Sequence, residues 1–328
     1  MKRCLVYHVG SIGDTLVAMP SFAALKKQYP DCRFDLLNLS IVRNRVHAEL
    51  YGNDDLFEHK TFLLPPENKW GKLQLYFDFL RAVRREKYDA LYCFSPDVPR
   101  VLTKCFRMFC GGTIHHAFLT PEMGDIPLWQ AYFRALDLPE EEYTFPLTPE
   151  ELEQGSRVAA SLENPLFAFG IGGNKQVCRY PLERYEALIA DLKKNGSFTP
   201  VWLGGEADLP AMERMQKICG GILFRGTLRE TIAFLRQCRC YIGNDTGSLH
   251  LAAAAGIPCA VIGSAHNVPP HMWHPMGDGH LVFRHEIACA GCKERICPKG
   301  DPAPCMTGHS PDRIREEIEQ WLNPTEMK

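Results

Sequence analysis

No apolar run in the 328-residue chain reaches the roughly 18 residues that a membrane-spanning helix requires, so no transmembrane segment is expected. Charge of one sign is not in surplus either. The 37 Lys and Arg against 39 Asp and Glu leave a formal charge of -2, which gives no global basis for nucleic-acid binding. No Asp-x-Asp pair occurs, so the chain lacks the compact two-carboxylate cradle that holds a divalent cation on a diphosphate. Met1-Lys2-Arg3 runs directly into a short strand and not into an apolar helix, so no export signal is expected. The 14 cysteines are then read as reduced thiols of a cytosolic protein and not as a disulfide framework. With 45% hydrophobic and 23% charged residues the composition excludes disorder, and the length suits two domains.

What is present is alternation of apolar runs and amphipathic segments. Strands are predicted at Leu5–Val9, Phe34–Leu39, Ala90–Phe94 and Ile114–Leu119, with helices at Thr15–Tyr29, Leu73–Lys87 and Pro127–Leu138. A loop is expected at Pro65-Pro66, and the Pro/Glu-rich stretch Pro139–Pro149 reads as an interdomain linker. The pattern restarts with strands at Leu166–Ile171, Pro200–Leu203, Cys240–Ile242 and Cys259–Ile262. Helices follow at Pro181–Lys194, Ala207–Cys219, Thr227–Cys238 and Pro311–Leu322. Such alternation predicts parallel sheets covered on both faces.

The run Gly243-Asn244-Asp245-Thr246-Gly247-Ser248-Leu249-His250 joins the last two of those strands. Asp245, Thr246 and Ser248 are expected to cap an Ala-rich helix that Gly256 and Pro258 end. Its N-terminus would aim N–H groups and a positive dipole end at the sheet's carboxyl edge, a site suited to phosphate. His250 falls one turn in. The full wording, Asp245-Thr246-Gly247-x-x-His250-Leu251-Ala252-Ala253-Ala254, resembles the signature of the bacterial heptosyltransferase-type glycosyltransferases, glycosyltransferase family 9. At the other end of the chain, a strand, the turn Gly10-Ser11-Ile12-Gly13-Asp14 and a helix carrying Pro20 are similar to the opening of that family.

The resemblance implies a GT-B-like fold with two Rossmann-like domains, residues 1–145 for the acceptor and 146–328 for a nucleotide sugar, their parallel sheets facing a central cleft. It also implies that the last helix, about 311–322, packs back on the first domain. Asp14 becomes the catalytic base, with Ser11 and Gly13 on the acceptor side. Asp245, Thr246, Gly247 and His250 become donor-binding, as does Glu206 against the nucleoside ribose. The loop Gly172 to Pro181 looks like the family's Lys-Arg-Trp-Pro loop, but Cys178 stands where lysine is usual, so the diphosphate cation is either Lys175 or Arg179. The implied activity is inverting, metal-independent transfer of heptose from ADP-heptose to an anionic lipopolysaccharide-core glycolipid, with no cofactor. The place is the cytoplasm, with peripheral contact to the inner membrane. Rival readings are another nucleotide-sugar donor, a protein acceptor, or a nucleotide-sugar-binding protein without turnover; Asp14 argues against the last.

Two features stay outside that reading. Cys289-x2-Cys292-x4-Cys297-x7-Cys305 is read as free thiols, the alternative being a closed four-thiolate zinc or iron site. Residues 1–110 carry 17 Lys and Arg against 12 Asp and Glu, with Arg81, Arg84, Arg85 and Lys87 on one helix. That cluster is a solvated face or an attractor for an anionic acceptor or lipid surface.

Overall fold

A computed structural model describes residues 1–41, 46–52, 55–65, 68–95, 98, 100–162 and 165–323; Pro66 of the expected loop lies outside them. The chain forms two compact units, Met1–Tyr143 and Thr144–Lys328. None of the described helices is long and apolar enough to cross a membrane.

The first unit holds strands β1 (Arg3–Gly10), β2 (Arg33–Ser40), β3 (His59–Leu63), β4 (Ala90–Phe94) and β5 (Thr113–His116). They form a wholly parallel sheet in the order β3-β2-β1-β4-β5. Its helices are α1 (Ile12–Gln28), α2 (Lys69–Glu86), α3 (Arg100–Phe109) and α4 (Leu128–Ala135). β4 is buried at every residue, as a strand covered on both faces must be. α1 starts three residues earlier than the apolar pattern suggested. Asp14 therefore sits in its first turn and not in a loop before it, because its carboxylate accepts the backbone N–H of Ser11 at 2.8 Å and so caps the helix.

The second unit holds β6 (Leu166–Gly170), β7 (Thr199–Leu203), β8 (Ile222–Leu223), β9 (Cys240–Asn244), β10 (Cys259–Gly263) and β11 (Leu281–Arg284). Its sheet is also parallel, in the order β11-β10-β9-β6-β7-β8. Counted within the unit, that is the doubly wound order 3-2-1-4-5-6 read from the other side, and β6 and β9 flank the point where the winding reverses. The helices are α5 (Pro149–Ala160), α6 (Leu182–Leu192), α7 (Leu209–Cys219), α8 (Leu228–Leu235), α9 (Gly247–Ala254), α10 (Pro304–Thr307) and α11 (Pro311–Leu322). Both units are Rossmann-like, the pair of folds expected of the GT-B class.

α11, expected to pack back on the first domain, sets its buried stripe in the second unit. Ile314 and Ile318 lie in the core of the second unit with Tyr185, Leu188 and Phe283, and the helix packs on α6 and β11. The i, i+4 pair of isoleucines is its one fully buried stripe, and the second unit's own sheet covers it. The stretch read as a linker ends in a helix. Thr148 accepts from Glu151 N, and the Glu151 carboxylate accepts from Thr148 N, a capping box that starts α5 at Pro149.

Candidate functional site

In open α/β sheets, ligands bind beyond the carboxyl ends of the strands at the reversal point. In the first unit that position follows β1, where Gly10, Ser11 and Gly13 surround Asp14. Asp14 Oδ2 accepts from Ser11 N at 2.8 Å and from Ser11 Oγ at 3.2 Å. The approach is close: a Cβ on Gly10 would stand 2.2 Å from Asp14 Cβ, so only glycine fits.

Beneath this turn lies a polar chain that sequence reading missed. Asn38 Nδ2 donates to His8 Nδ1 at 2.7 Å, and His47 Nε2 donates to Asn38 Oδ1 at 2.6 Å. All three residues are buried. Burial pushes the His8 imidazole down to about 3, reinforced by His47 and opposed by a backbone hydrogen bond to Asp14. His8 is thus neutral, with its proton on Nε2 because Nδ1 is accepting. Burial also lowers His47, against the attraction of the Asp14 carboxylate. His8 and Asn38 occupy apolar runs of β1 and β2 and leave no motif to read.

In the second unit the loops after β6 and β9 meet at Asn244, the last residue of β9, which is fully buried. Its Nδ2 donates to the carbonyls of Ile171 at 2.9 Å and Gly172 at 3.0 Å. Its Oδ1 accepts from Tyr180 N at 3.1 Å and Tyr185 OH at 2.9 Å. One amide thus binds both loops and helix α6 with every donor and acceptor used. Gly173, at φ +145°, faces Thr246 so closely that a Cβ would meet Thr246 Cγ2 at 2.8 Å. Asp208 draws in the loop after β7: Oδ1 accepts from Gly173 N and Oδ2 from Gly205 N, each at 3.1 Å. Glu206 is exposed at the start of the short 3-10 turn that follows β7.

The two candidate cations separate here. Lys175 Nζ donates to His266 Nε2 at 2.8 Å. Burial, then Lys175 and Arg284, push the buried His266 down to about 4, so at neutral pH it is an acceptor for the ammonium. Burial pushes the Asp245 carboxyl up to about 6, while Lys175 and Arg284 pull it down, so it is mostly ionised at pH 7. Arg179 is exposed and spends Nε and a terminal nitrogen on the Gly173 carbonyl, at 2.9 and 2.6 Å. Cys178 points inward, its sulfur 3.3 Å from Ser264 Oγ, and burial lifts the thiol to about 11. Lys175 and Arg284 face Asp245 and neutral His266, and the exposed Glu286 carboxylate lies 3.4 Å from Arg284 Nε.

Arg284 and Asn267 were not foreseen. Arg284 donates to the carbonyls of Ser264, Ala265 and Asn267 at 3.2, 3.3 and 2.9 Å, fixing the loop that presents His266. Asn267 Nδ2 donates to Asp245 Oδ2 at 3.2 Å. Asp245, Ser264, Asn267, Trp273, His274 and Arg284 line a small cavity there. His250 is buried, with its ring edge-on to Trp273 at 6.0 Å.

Helix α9 starts differently from the expectation. Thr246 is the N-cap residue but makes no side-chain cap bond. Its Oγ1 pairs with Ser248 Oγ at 2.9 Å, and Asp245 is held by Asn267, so these oxygens turn to each other and to the flanking loop. The positive helix end at Gly247 lies half-buried behind Thr246 with no side-chain cap from it.

None of Cys289, Cys292, Cys297 and Cys305 is paired in a disulfide. Among the described residues, the one group of three Cys, His, Asp or Glu ligand atoms within 4.8 Å of one another is Asp35, Glu58 and His59. That group is ion-paired already: Asp35 accepts from Arg3, His59 and Tyr88, and Glu58 from Arg33.

Known proteins share this fold. The curated lipooligosaccharide heptosyltransferase 2 of Haemophilus influenzae is 22% identical over 314 residues, covering 83% of this chain and 86% of its own. A glycosyltransferase family 9 structure from Veillonella parvula shares the fold at a TM-score of 0.74 and 16% identity, over 99% of this chain and 98% of that one. The ADP-heptose lipopolysaccharide heptosyltransferase II of E. coli does so at a TM-score of 0.69 and 18% identity, over 99% and 100%. The profile of glycosyltransferase family 9 (heptosyltransferase) matches residues 128–301, more than half of the sequence. The chain belongs to glycosyltransferase family 9, the heptosyltransferase family.

Proposed function

We propose that the protein is an inverting glycosyltransferase that moves heptose from ADP-heptose to a sugar of a lipopolysaccharide core or related glycolipid, on the cytoplasmic face of the inner membrane. The observation that carries this reading is the assembly of Lys175, Asp245, Thr246 and Gly247 around the N-terminus of α9, at the reversal point of the second sheet. The Lys175 ammonium and a helix dipole suit a diphosphate. The E. coli heptosyltransferase of the same fold, with ADP-heptose in its name, supports the choice of nucleotide.

In this mechanism Asp14 accepts the proton of the acceptor hydroxyl as its oxygen attacks the anomeric carbon. The bond from that carbon to the diphosphate breaks on the opposite face, and ADP departs with the electron pair. Lys175 and the amides at Gly247 receive the charge that develops on it. Ser11 and Gly13 shape the acceptor side, Glu206 takes the ribose hydroxyls, and His250 bears on the donor through Trp273. Leaving-group charge is neutralised by the chain's own groups, so catalysis needs no metal.

Calorimetric titration with ADP, UDP, GDP and CMP tests the nucleotide; ADP is expected to bind most tightly, and a preference for any of the others overturns the donor assignment. The cation assignment is tested in the same experiment. Lys175→Met should weaken ADP binding roughly 10- to 100-fold, the worth of one charge-assisted contact. Arg179→Met should change it less than about threefold, since its guanidinium serves a backbone carbonyl. The reverse ranking would move the diphosphate to Arg179. Turnover in excess EDTA should equal turnover without it; loss on chelation with rescue by Mg²⁺ or Mn²⁺ would sink the metal-independent mechanism.

A further inference from the structure

The basic cluster seen in the sequence has no part in the site just described. In the structure it joins a second feature. On α2, Phe77, Arg81, Arg84 and Arg85 follow at spacings of four, three and one, which puts them on one stripe. All four are exposed, Phe77 at 56%. Phe79 and Val83 take the buried side of the same helix. On α3, Leu102 and Phe106 are buried, while Val101, Lys104, Arg107, Met108 and Phe109 are exposed, Met108 at 68%. The two helices meet at their C-terminal ends: Cys110 Sγ donates to the Val83 carbonyl at 3.4 Å, and the Arg84 guanidinium lies 6.0 Å from the Phe109 ring. α3 contains no acid, and the acids of α2 are engaged: Asp78 with Gln74, Glu86 with Arg3 and, at 3.3 Å, with the exposed Arg85 of the stripe.

We propose that this α2–α3 face of the first unit is a docking surface for an anionic lipid leaflet. Five exposed cations, Arg81, Arg84, Arg85, Lys104 and Arg107, are interleaved with bulky apolar side chains that project outward. Phe77, Val101, Met108 and Phe109 add exposed apolar side chains to the same two helices. At a bilayer both classes of side chain are satisfied: cations at the headgroups, apolar tips in the acyl boundary. From Phe77 to Arg85 the stripe runs about 12 Å along the helix, too long for one phosphate and suited to a plane of them. A nucleic acid answers the cations but not the apolar tips, because only flat rings stack on bases and Met108 and Val101 have none. The proposal deepens the reading of a glycolipid acceptor, yet vesicle binding is measured with no substrate present, so the two stand or fall separately.

The full chain is sedimented with vesicles of phosphatidylcholine alone and of phosphatidylcholine with phosphatidylglycerol. Binding to the anionic vesicles is expected, weakened by salt, with little to the neutral ones. Arg84→Glu/Arg85→Glu/Arg107→Glu should lower anionic-vesicle binding by at least about tenfold, and Phe77→Ser/Met108→Ser should lower it at high salt most. Both variants should melt as wild type does and bind ADP unchanged. If the triple variant fails to fold, Arg84→Gln and Lys104→Gln singly replace it, each expected to weaken binding two- to fivefold, about one cation's share. Equal binding to neutral vesicles, no binding to either, binding unchanged in folded variants, or a stronger affinity for a single-stranded oligonucleotide would each overturn the proposal.

Discussion

Asp14→Asn should cut turnover by roughly 10²–10⁴, the usual worth of a general base, while melting temperature and ADP affinity stay near wild type. The substitution is informative because Asp14 does two things. Its Oδ2 holds the start of α1 by accepting from Ser11 N and Ser11 Oγ. An amide oxygen accepts both of these bonds, so the cap survives in Asn. What Asn cannot do is take a proton from an attacking hydroxyl. Asp14→Ala removes both roles and should add a stability loss of about 1 kcal/mol, the typical value of a helix cap. Comparing the two variants by rate of ADP release and by thermal melting therefore separates base from cap. Retention of more than half of wild-type turnover in Asp14→Asn would remove Asp14 from the chemistry and leave it a cap residue only.

The strands that place Asp14 and the donor loops were legible because they are buried on both faces. β4, β6, β9 and β10 are buried at every position, and two-sided burial forces a continuous apolar run. The edge strands β3 and β11 are half exposed, and His59-Lys60-Thr61-Phe62-Leu63 has too little apolar continuity to stand out from a loop. α5 escaped notice for a related reason. It is buried only at Gly155 and Ala159, and a Cβ on Gly155 would stand 2.6 Å from the Ala233 backbone. Close backbone packing of this kind leaves no large hydrophobic residues to mark a helix face. In the site, the residues on signature loops were legible as candidates, but their partners were not. That Lys175 and not Arg179 is held beside Asp245 depends on His266 and Arg284, about 90 and 110 residues away. Side-chain pairing over such separations leaves no periodic trace. The chain His8–Asn38–His47 is the same case in the first unit.

Asn244→Leu should be the most destabilising single substitution in the second unit that leaves its core volume nearly constant. Leucine fills a similar space and makes none of the four hydrogen bonds. It orphans Tyr185 OH, Tyr180 N and two carbonyls in a region closed to water; Asn244 and Tyr185 are both fully buried. Each buried group left unpaired costs roughly 1–3 kcal/mol, and relaxation recovers part of it, so a net loss of about 4 kcal/mol is expected. In a unit of this size that lowers the melting temperature by roughly 10 °C. ADP affinity of the folded protein should fall as well, since the loops after β6 and β9 lose the group that ties them. Asn244→Asp distinguishes lost hydrogen bonds from lost shape. A carboxylate keeps the two accepted bonds but cannot donate to Ile171 O or Gly172 O, and it buries a charge. Burial raises the folded-state pKa of the introduced carboxyl above its unfolded value, so the folded state binds the extra proton. The stability it costs at pH 7 should therefore be recovered in part as pH falls through the raised pKa, when the protonated oxygen can donate one bond. The deficit of Asn244→Leu should show no such dependence. Thermal melts of both variants at pH 7 and pH 5, each against wild type at the same pH, make the comparison. An Asn244→Leu protein melting within about 2 °C of wild type would show that the donor loops are held by packing and that the amide is incidental.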